Sequence, residues 1–349
     1  MTLALRVLQS LAAAEAATWG ALAQRAHLLP FWTRRKRREV EHEHDLAGAL
    51  ELVVPFALNQ PTDALRAAPG PRSEWFVFQL RVLRADGSYD HAAALDAWRA
   101  LADVGDDTLP PRLSLAQRAA LRALRAGVGP PRSGHDHARY ADDAATVRAL
   151  AITAGRGAEA IRGGPSAELD DAVALDASIT NAEDGVWVAQ AAAALIAALA
   201  AGSDVADAVQ AALVRLPGDS WAAERARYAL DVGSAARTPL DLAFALDAAV
   251  SNAAYSYGDA APDALAIALP ILRTCFPSPD AALLAALAVP RHATAVAPLV
   301  AAACAAAGYP SFLSSPISER LTTLAGVGLP QLRGVRLATP THDPPPEEV

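Results

Sequence analysis

The densest chemistry in this chain lies in the turn Thr180-Asn181-Ala182-Glu183-Asp184-Gly185. Two carboxylates and an amide precede Trp187 there, and a run of Ala, Leu and Ile follows to residue 201. Acceptor groups held at the N-terminus of a rigid small-residue helix are how a site is built on a scaffold. Helix capping alone explains one of these groups. Three within a few residues of an indole point to a ligand, because the aromatic can stack on a flat ring while acceptors hold hydroxyls. Asn181, Asp184, Gly185 and Trp187 are candidates on that ground. Asp142 and Asp143 open another expected helix, where they either complement its dipole or act on a ligand as hydroxyl contacts or as acid and base. Arg148, one turn further, is either a buried ion-pair partner or a contact to a diphosphate. Tyr255 and Tyr257 either line the same cavity or fill a core edge.

The texture of the chain says which elements position these groups. Alanine runs from end to end of the 349 residues, β-branched runs with a period of two are scarce, and aromatics are 5%. Small side chains permit close helix approach, so the expected fold class is all-α. A hydrophobic fraction of 53% against 19% charged residues supplies a large core. Helices are predicted at 3–27, 34–51, 73–85, 91–103, 114–126, 142–154, 168–177, 186–201, 203–215, 220–231, 240–250, 262–274, 279–288, 294–307 and 316–325. Their breaks carry Pro and Gly signals such as Pro69-Gly70-Pro71, Gly163-Gly164-Pro165 and Pro217-Gly218-Asp219. None of these breaks reads as an inter-domain linker and no fixed repeat period occurs. One helical domain over 1–335 with a Pro-rich, flexible tail over 336–349 is expected.

A net charge of −8 argues against a nucleic-acid partner. The basic run from Arg34 to Arg38 is followed at once by Glu39, Glu41, Glu43 and Asp45, which suits a solvated helix face. Cys275 and Cys304 lie far apart in apolar surroundings, as buried thiols of a reducing compartment do. Leu3, Val7, Leu8 and Leu11 have helical spacing, and Gln9 and Glu15 interrupt any export-signal core. The alanine runs near 191 and 299 are too short or too interrupted to span a bilayer. The expectation is a soluble cytoplasmic protein with no membrane contact; a protein partner is not specified. His42-Glu43-His44-Asp45 and His135-Asp136-His137 spell ligand patterns, but alternate helix residues do not face one another and lone His-x-His pairs are common in loops without metal.

Four segments together resemble the ADP-ribosylglycohydrolase family. They are Gly129-Pro130-Pro131-Arg132-Ser133-Gly134-His135-Asp136-His137 running on to Tyr140 through Ala149; the turn at 176–190, with Thr180-Asn181 where many members have Thr-His; Asn252 through Pro262; and Pro290-Arg291-His292-Ala293-Thr294-Ala295. Their order and spacing match over roughly residues 5 to 335. The resemblance implies an all-helical fold that usually holds two magnesium ions and removes ADP-ribose from modified side chains. It adds Ser133 and Gly134 as ligand contacts, in a loop resembling the substrate loop.

Departures from the pattern are as informative. The first helix reads Ala14-Glu15-Ala16-Ala17-Thr18-Trp19-Gly20, with no aspartate. Where the family has Asp-Asp-Thr or a variant before Glu-Trp, this chain has Pro71-Arg72-Ser73-Glu74-Trp75. Where it has Asp-x-Asp-Thr or Ser, this chain has His292-Ala293-Thr294-Ala295. Asp106-Asp107-Thr108 spells the first motif but sits in a turn away from the matching position. Magnesium binds protein mainly through carboxylates and a guanidinium repels it, so no metal cofactor is expected. Glu74, Asp142, Asp143 and Asp184 remain as catalytic candidates. The expected function is binding of ADP-ribose or a related nucleotide at a degenerate metal site, with weak or no hydrolysis. The alternatives are an active ADP-ribosylglycohydrolase and a non-catalytic helical assembly module.

Overall fold

The apolar run after Gly185 becomes the axis of the molecule, and side-chain size is the reason. A computed structural model describes residues 2–25, 50–52, 65–67, 69–103, 113–135, 140–251, 260–309, 323–326 and 328–337. The helices among them, in chain order, are α1 (Leu3–Arg25), α2 (Pro71–Val82), α3 (His91–Ala102), α4 (Leu115–Arg125), α5 (Thr146–Gly155), α6 (Ala158–Arg162), α7 (Ala167–Ala177), α8 (Asp184–Ala200), α9 (Val205–Leu213), α10 (Trp221–Gly233), α11 (Pro239–Val250), α12 (Ala261–Cys275), α13 (Pro279–Ala288) and α14 (Ala293–Ala306). The fold is all-α. Strands β1 (Leu50–Leu52) and β2 (Leu65–Ala67) add one short antiparallel ribbon.

Every residue of α8 from Ala191 to Leu199 is buried. Alanine on most of its faces lets α5, α7, α9, α12 and α14 pack directly on it. Around this axis α1 lies along α14 and α10 lies along α12. At the latter contact a Cβ on Gly233 would come 2.6 Å from Cβ of Pro270, so glycine is what lets the end of α10 reach the α12 backbone. Sequence signals also set the helix starts. Ser114 and Gln117 form a capping box on α4. Asp90, Ser166, Asp204, Ser220, Thr238 and Ser278 each accept backbone N–H groups at the heads of their helices.

Three expectations need correction. The helix expected from 142 begins at Thr146, because the carbonyls of Tyr140, Ala141 and Asp142 accept bonds from other elements. The helix expected over 316–325 is not formed at 323–325: Thr323 bridges to Arg336, and Leu324 N donates to the carbonyl of Val335. That pairing carries the domain past 335, since Leu337 is buried. The end of the segment expected helical over 34–51 lies in β1; residues 34–49 and 316–322 lie outside the described residues. Among the described residues no helix is long and apolar enough to cross a membrane.

Because α8 is buried on every face from Ala191 to Leu199, Ala193→Leu is expected to destabilise the protein by about 1–3 kcal/mol, read as a lowered urea midpoint at unchanged slope.

Candidate functional site

The loop from residue 129 and the turn before α8 are fastened to each other by one connected set of contacts. It begins in the core. Arg148, fully buried, donates from Nε to Oδ2 of Asp176 at 2.8 Å. Its Nη1 donates to the carbonyl of Ala144 at 2.8 Å, and its Nη2 to the carbonyl of Asp176 at 3.2 Å and to Oγ1 of Thr180 at 2.9 Å. The hydroxyl of Thr180 then donates to Oδ1 of Asn181 at 2.6 Å. The Asn181 amide in turn donates to the carbonyls of Tyr140 at 3.0 Å and Asp142 at 2.6 Å. Ser133 Oγ donates to the carbonyl of Ile179 at 3.0 Å, and a Cβ on Gly134 would come 2.5 Å from the carbonyls of Ser178 and Asn181. A Cβ on Gly185 would strike the Tyr140 carbonyl.

An aromatic stack supports the buried cation. Cζ of Arg148 lies 5.1 Å from the ring centre of Trp98, and Trp98 stacks on Trp75 at 4.8 Å. Burial pushes the Asp176 carboxyl up even against the pull of Arg148. Burial and the nearby Asp176 likewise raise the Tyr89 phenol.

Helix heads gather around the same loop. Glu15, in α1, caps α2: its Oε1 accepts from Arg72 N at 2.9 Å, and its Oε2 accepts from Gly70 N at 2.9 Å, Ser73 N at 3.1 Å and Ser73 Oγ at 2.7 Å. From this clamped backbone the Arg72 guanidinium reaches Asp143 and forms an ion pair. Asp142 bridges to Ala260, and Ala261 N donates to the carbonyl of Ala141 at 2.8 Å, which brings the head of α12 to the loop. In the first turn of α12, Asp263 lies 3.7 Å from Nε2 of His292, the N-cap of α14. His292 is positioned in turn by Arg291, whose N–H donates to Oδ1 of Asp247 at 3.2 Å.

The turn before α8, the head of α12 and the head of α2 thus meet at residues 140–143. A family model described as ADP-ribosylglycohydrolase matches residues 8–325. The chain belongs to that family. Among curated proteins no match was found. A solved structure described as an ADP-ribosylglycohydrolase-related protein complex is similar at 16% identity and a TM-score of 0.46, covering 89% of this chain and 94% of that one.

Within this ADP-ribosylglycohydrolase fold the candidates divide by what they touch. For Arg148 the structure realises the ion-pair alternative, and its hydrogen bonds run to Asp176, Ala144 and Thr180. Ser133, Gly134, Asn181 and Gly185 join the two loops. Glu74 is buried, with Oε2 accepting from Gly328 N and Leu329 N, each at 2.7 Å, so it ties the C-terminal segment to α2. Asp184 accepts from Ala222 N at 2.8 Å at the head of α10. Asp142 and Asp143 lie ahead of α5 in the loop itself. Trp187 is half-buried against the core. Tyr255, Tyr257, Asp106-Asp107-Thr108, the basic run at 34–38, the histidines at 42 and 44, Asp136 and His137 lie outside the described residues. Among the described residues no group of three or more His, Cys, Asp or Glu is placed to hold a metal ion. Burial pushes the Cys304 thiol up to about 12 and raises Cys275 as well, as suits inert core thiols.

Sequence reasoning passed over Glu15, Tyr140, Asp176 and Asp263. Glu15 gave a signal, a lone acid in an alanine-rich helix, but its partner lies 57 residues away. The Tyr140 phenol is raised by desolvation and by the carboxylates of Asp184 and Glu183, and its carbonyl meets Ala182 N just ahead of α8. There Glu183 holds a positive φ of 45°, a backbone state that non-glycine residues seldom adopt.

Arg148→Met leaves the Asp176 carboxylate buried without its cation. A loss of about 3–5 kcal/mol in urea unfolding is expected, with much of it recovered in Arg148→Met/Asp176→Leu. Desolvation raises the Asp184 carboxyl above its ordinary range, with Glu183 adding to it and Ala222 N–H opposing. The folded state therefore holds that proton more tightly than the unfolded chain. Its penalty is present at neutral pH and is relieved as pH falls through the raised value toward the unfolded one. Asp184→Asn, which keeps the Oδ1 acceptor, should raise stability at pH 7, and chemical denaturation across pH should show that gain shrinking on acidification.

Proposed function

We propose that this protein binds ADP-ribose or a related nucleotide on an ADP-ribosylglycohydrolase fold whose metal site is degenerate, and that it hydrolyses the glycosidic bond weakly or not at all. The observation that carries the reading is the Arg72–Asp143 ion pair at the head of α2. Arg72 stands in the segment where the family's pattern has magnesium carboxylates, and at the head of α14 the matching positions are His292, Ala293 and Thr294. Magnesium demands oxygen ligands in near-octahedral array. A guanidinium beside the surviving carboxylate supplies none and repels a divalent cation. The residues at these two places therefore do not fit the metal.

The family reaction, as the resemblance implies it, has a metal-positioned water attacking the anomeric carbon while a carboxylate manages the proton. The candidate carboxylates Glu74, Asp143 and Asp184 take part in contacts within the protein. Such groups shape and neutralise a site, which suits retention of a ligand better than its turnover. The half-buried Trp187 at the head of α8 offers a stacking face for an adenine.

One observation favours the second reading, an active hydrolase. A carboxyl raised by burial, as Asp184 is, holds its proton more tightly than a free one, which suits the acid role in such a reaction.

Isothermal titration with ADP-ribose, run in EDTA and in magnesium, tests both. Equal affinity in the two buffers is expected, with Trp187→Ala binding roughly tenfold more weakly. Binding only in magnesium overturns the degenerate-site reading. Turnover of ADP-ribosylated protein in EDTA would move the assignment to a metal-free hydrolase, and no binding in either buffer would favour an assembly module.

A further inference from the structure

We infer that Arg72 is a built-in cation: its guanidinium occupies the place beside Asp143 that a divalent ion would otherwise hold, and replacing it opens a divalent-cation site at the head of α2. The inference rests on reading this end of the molecule as the family's metal end, and it names the residue that closes it.

Arg72 does not reach Asp143 by chance of a long side chain. Glu15 binds the backbone N–H groups of Gly70, Arg72 and Ser73 and the Ser73 hydroxyl, so the chain at 70–73 is fixed before the guanidinium projects. Space here is already taken, since a Cβ on Gly70 would come 2.6 Å from Oε1 of Glu15. The far partner is equally constrained. The backbone beside Asp143 is held by the Asp142–Ala260 bridge and by the Asn181 amide on the Asp142 carbonyl. Asp143 is 5% exposed and Arg72 19%. A carboxylate so withdrawn from water requires a positive partner, and either a guanidinium or a metal ion meets that requirement.

The neighbouring pair repeats the arrangement. Asp263 is 1% exposed, and the side chain 3.7 Å from it is His292, at a position where the family pattern carries a carboxylate. Here too a nitrogen-bearing side chain, and not an acid, faces the buried carboxylate. A hard divalent ion takes most of its ligands as oxygen, and beside Asp143 the guanidinium supplies none. Arg72→Asp corrects both deficits in one change. It supplies a second carboxylate beside Asp143, and by passing from +1 to −1 it removes two units of positive charge, the charge a divalent ion restores.

Thermal melting of the full chain in EDTA, in magnesium and in manganese reads the outcome. Wild type should melt at the same temperature in all three. Arg72→Asp should melt lower in EDTA and gain roughly 3 °C or more in saturating manganese, and Arg72→Asp/Asp143→Asn should lose that response. Arg72→Gln removes the charge and offers one amide oxygen on a shorter side chain, and should respond in the same direction by a smaller amount. If Arg72→Asp does not melt cooperatively, Arg72→Gln decides alone. The proposal is overturned by a saturable magnesium or manganese shift in wild type, by a folded Arg72→Asp or Arg72→Gln that ignores the ions, or by a response that survives Asp143→Asn. None of these results touches the ADP-ribose titration of wild type, so failure here is distinct from failure of the nucleotide reading.

Discussion

The structure depends on an amide and a carbonyl. The carbonyl of Tyr140 accepts from the Asn181 side chain and from Ala182 N, and it lies where a Cβ on Gly185 would be. Because Gly185 is in the first turn of α8, this contact sets where the central helix begins. The loop that carries Asp142 and Asp143 is placed against the helix head by the same group. Buried backbone carbonyls that leave a helix must find other donors, and here they find them across 39 to 41 residues of sequence.

What stiffens this junction is buried charge. Arg148 joins Asp176 to Thr180, and Thr180 passes the order on to Asn181. An arginine in a low-dielectric interior is held by every bond it makes, and the indole of Trp98 covers it. Such a network contributes little net stability over an apolar core, but it admits few alternative arrangements. That is a requirement for a site assembled from distant loops. The sites of α/β folds sit at strand ends; here the equivalent rigidity comes from helix heads meeting at one loop.

Charge at the far side of that loop follows a different logic. The family's chemistry needs carboxylates concentrated enough to hold a cation, and carboxylates so concentrated are unstable without one. At the head of α2 the pairing Arg72–Asp143 settles this within the chain, and Glu15 secures the backbone that presents the arginine. A tethered cation beside a buried carboxylate keeps the fold neutral at that point.

Much of the fold was legible in the sequence, and the reasons are local. Alanine content and the spacing of Pro, Gly and capping residues gave the helices, most of them to within a few residues, because caps and breakers act over three or four positions. The turn at 180–187 and the pair Asp142-Asp143 were legible as places where polar groups meet a small-residue helix. Their employment was not. Asn181 and Ser133 were read as polar groups available to a ligand and Arg148 as either an ion-pair partner or a diphosphate contact; the structure bonds all three to carbonyls or carboxylates 28 to 46 residues away. The start of α5 was misplaced for the same reason, since the bonds that hold residues 140–142 out of the helix come from Asn181 and Ala261. The sequence by itself determined most of the helical segments and where this chain departs from the family's pattern of carboxylates. Only the tertiary structure decided which polar side chains serve the protein and that Arg72 faces Asp143, because hydrogen bonds and ion pairs are fixed by distance in space, and a one-dimensional pattern carries no such distances.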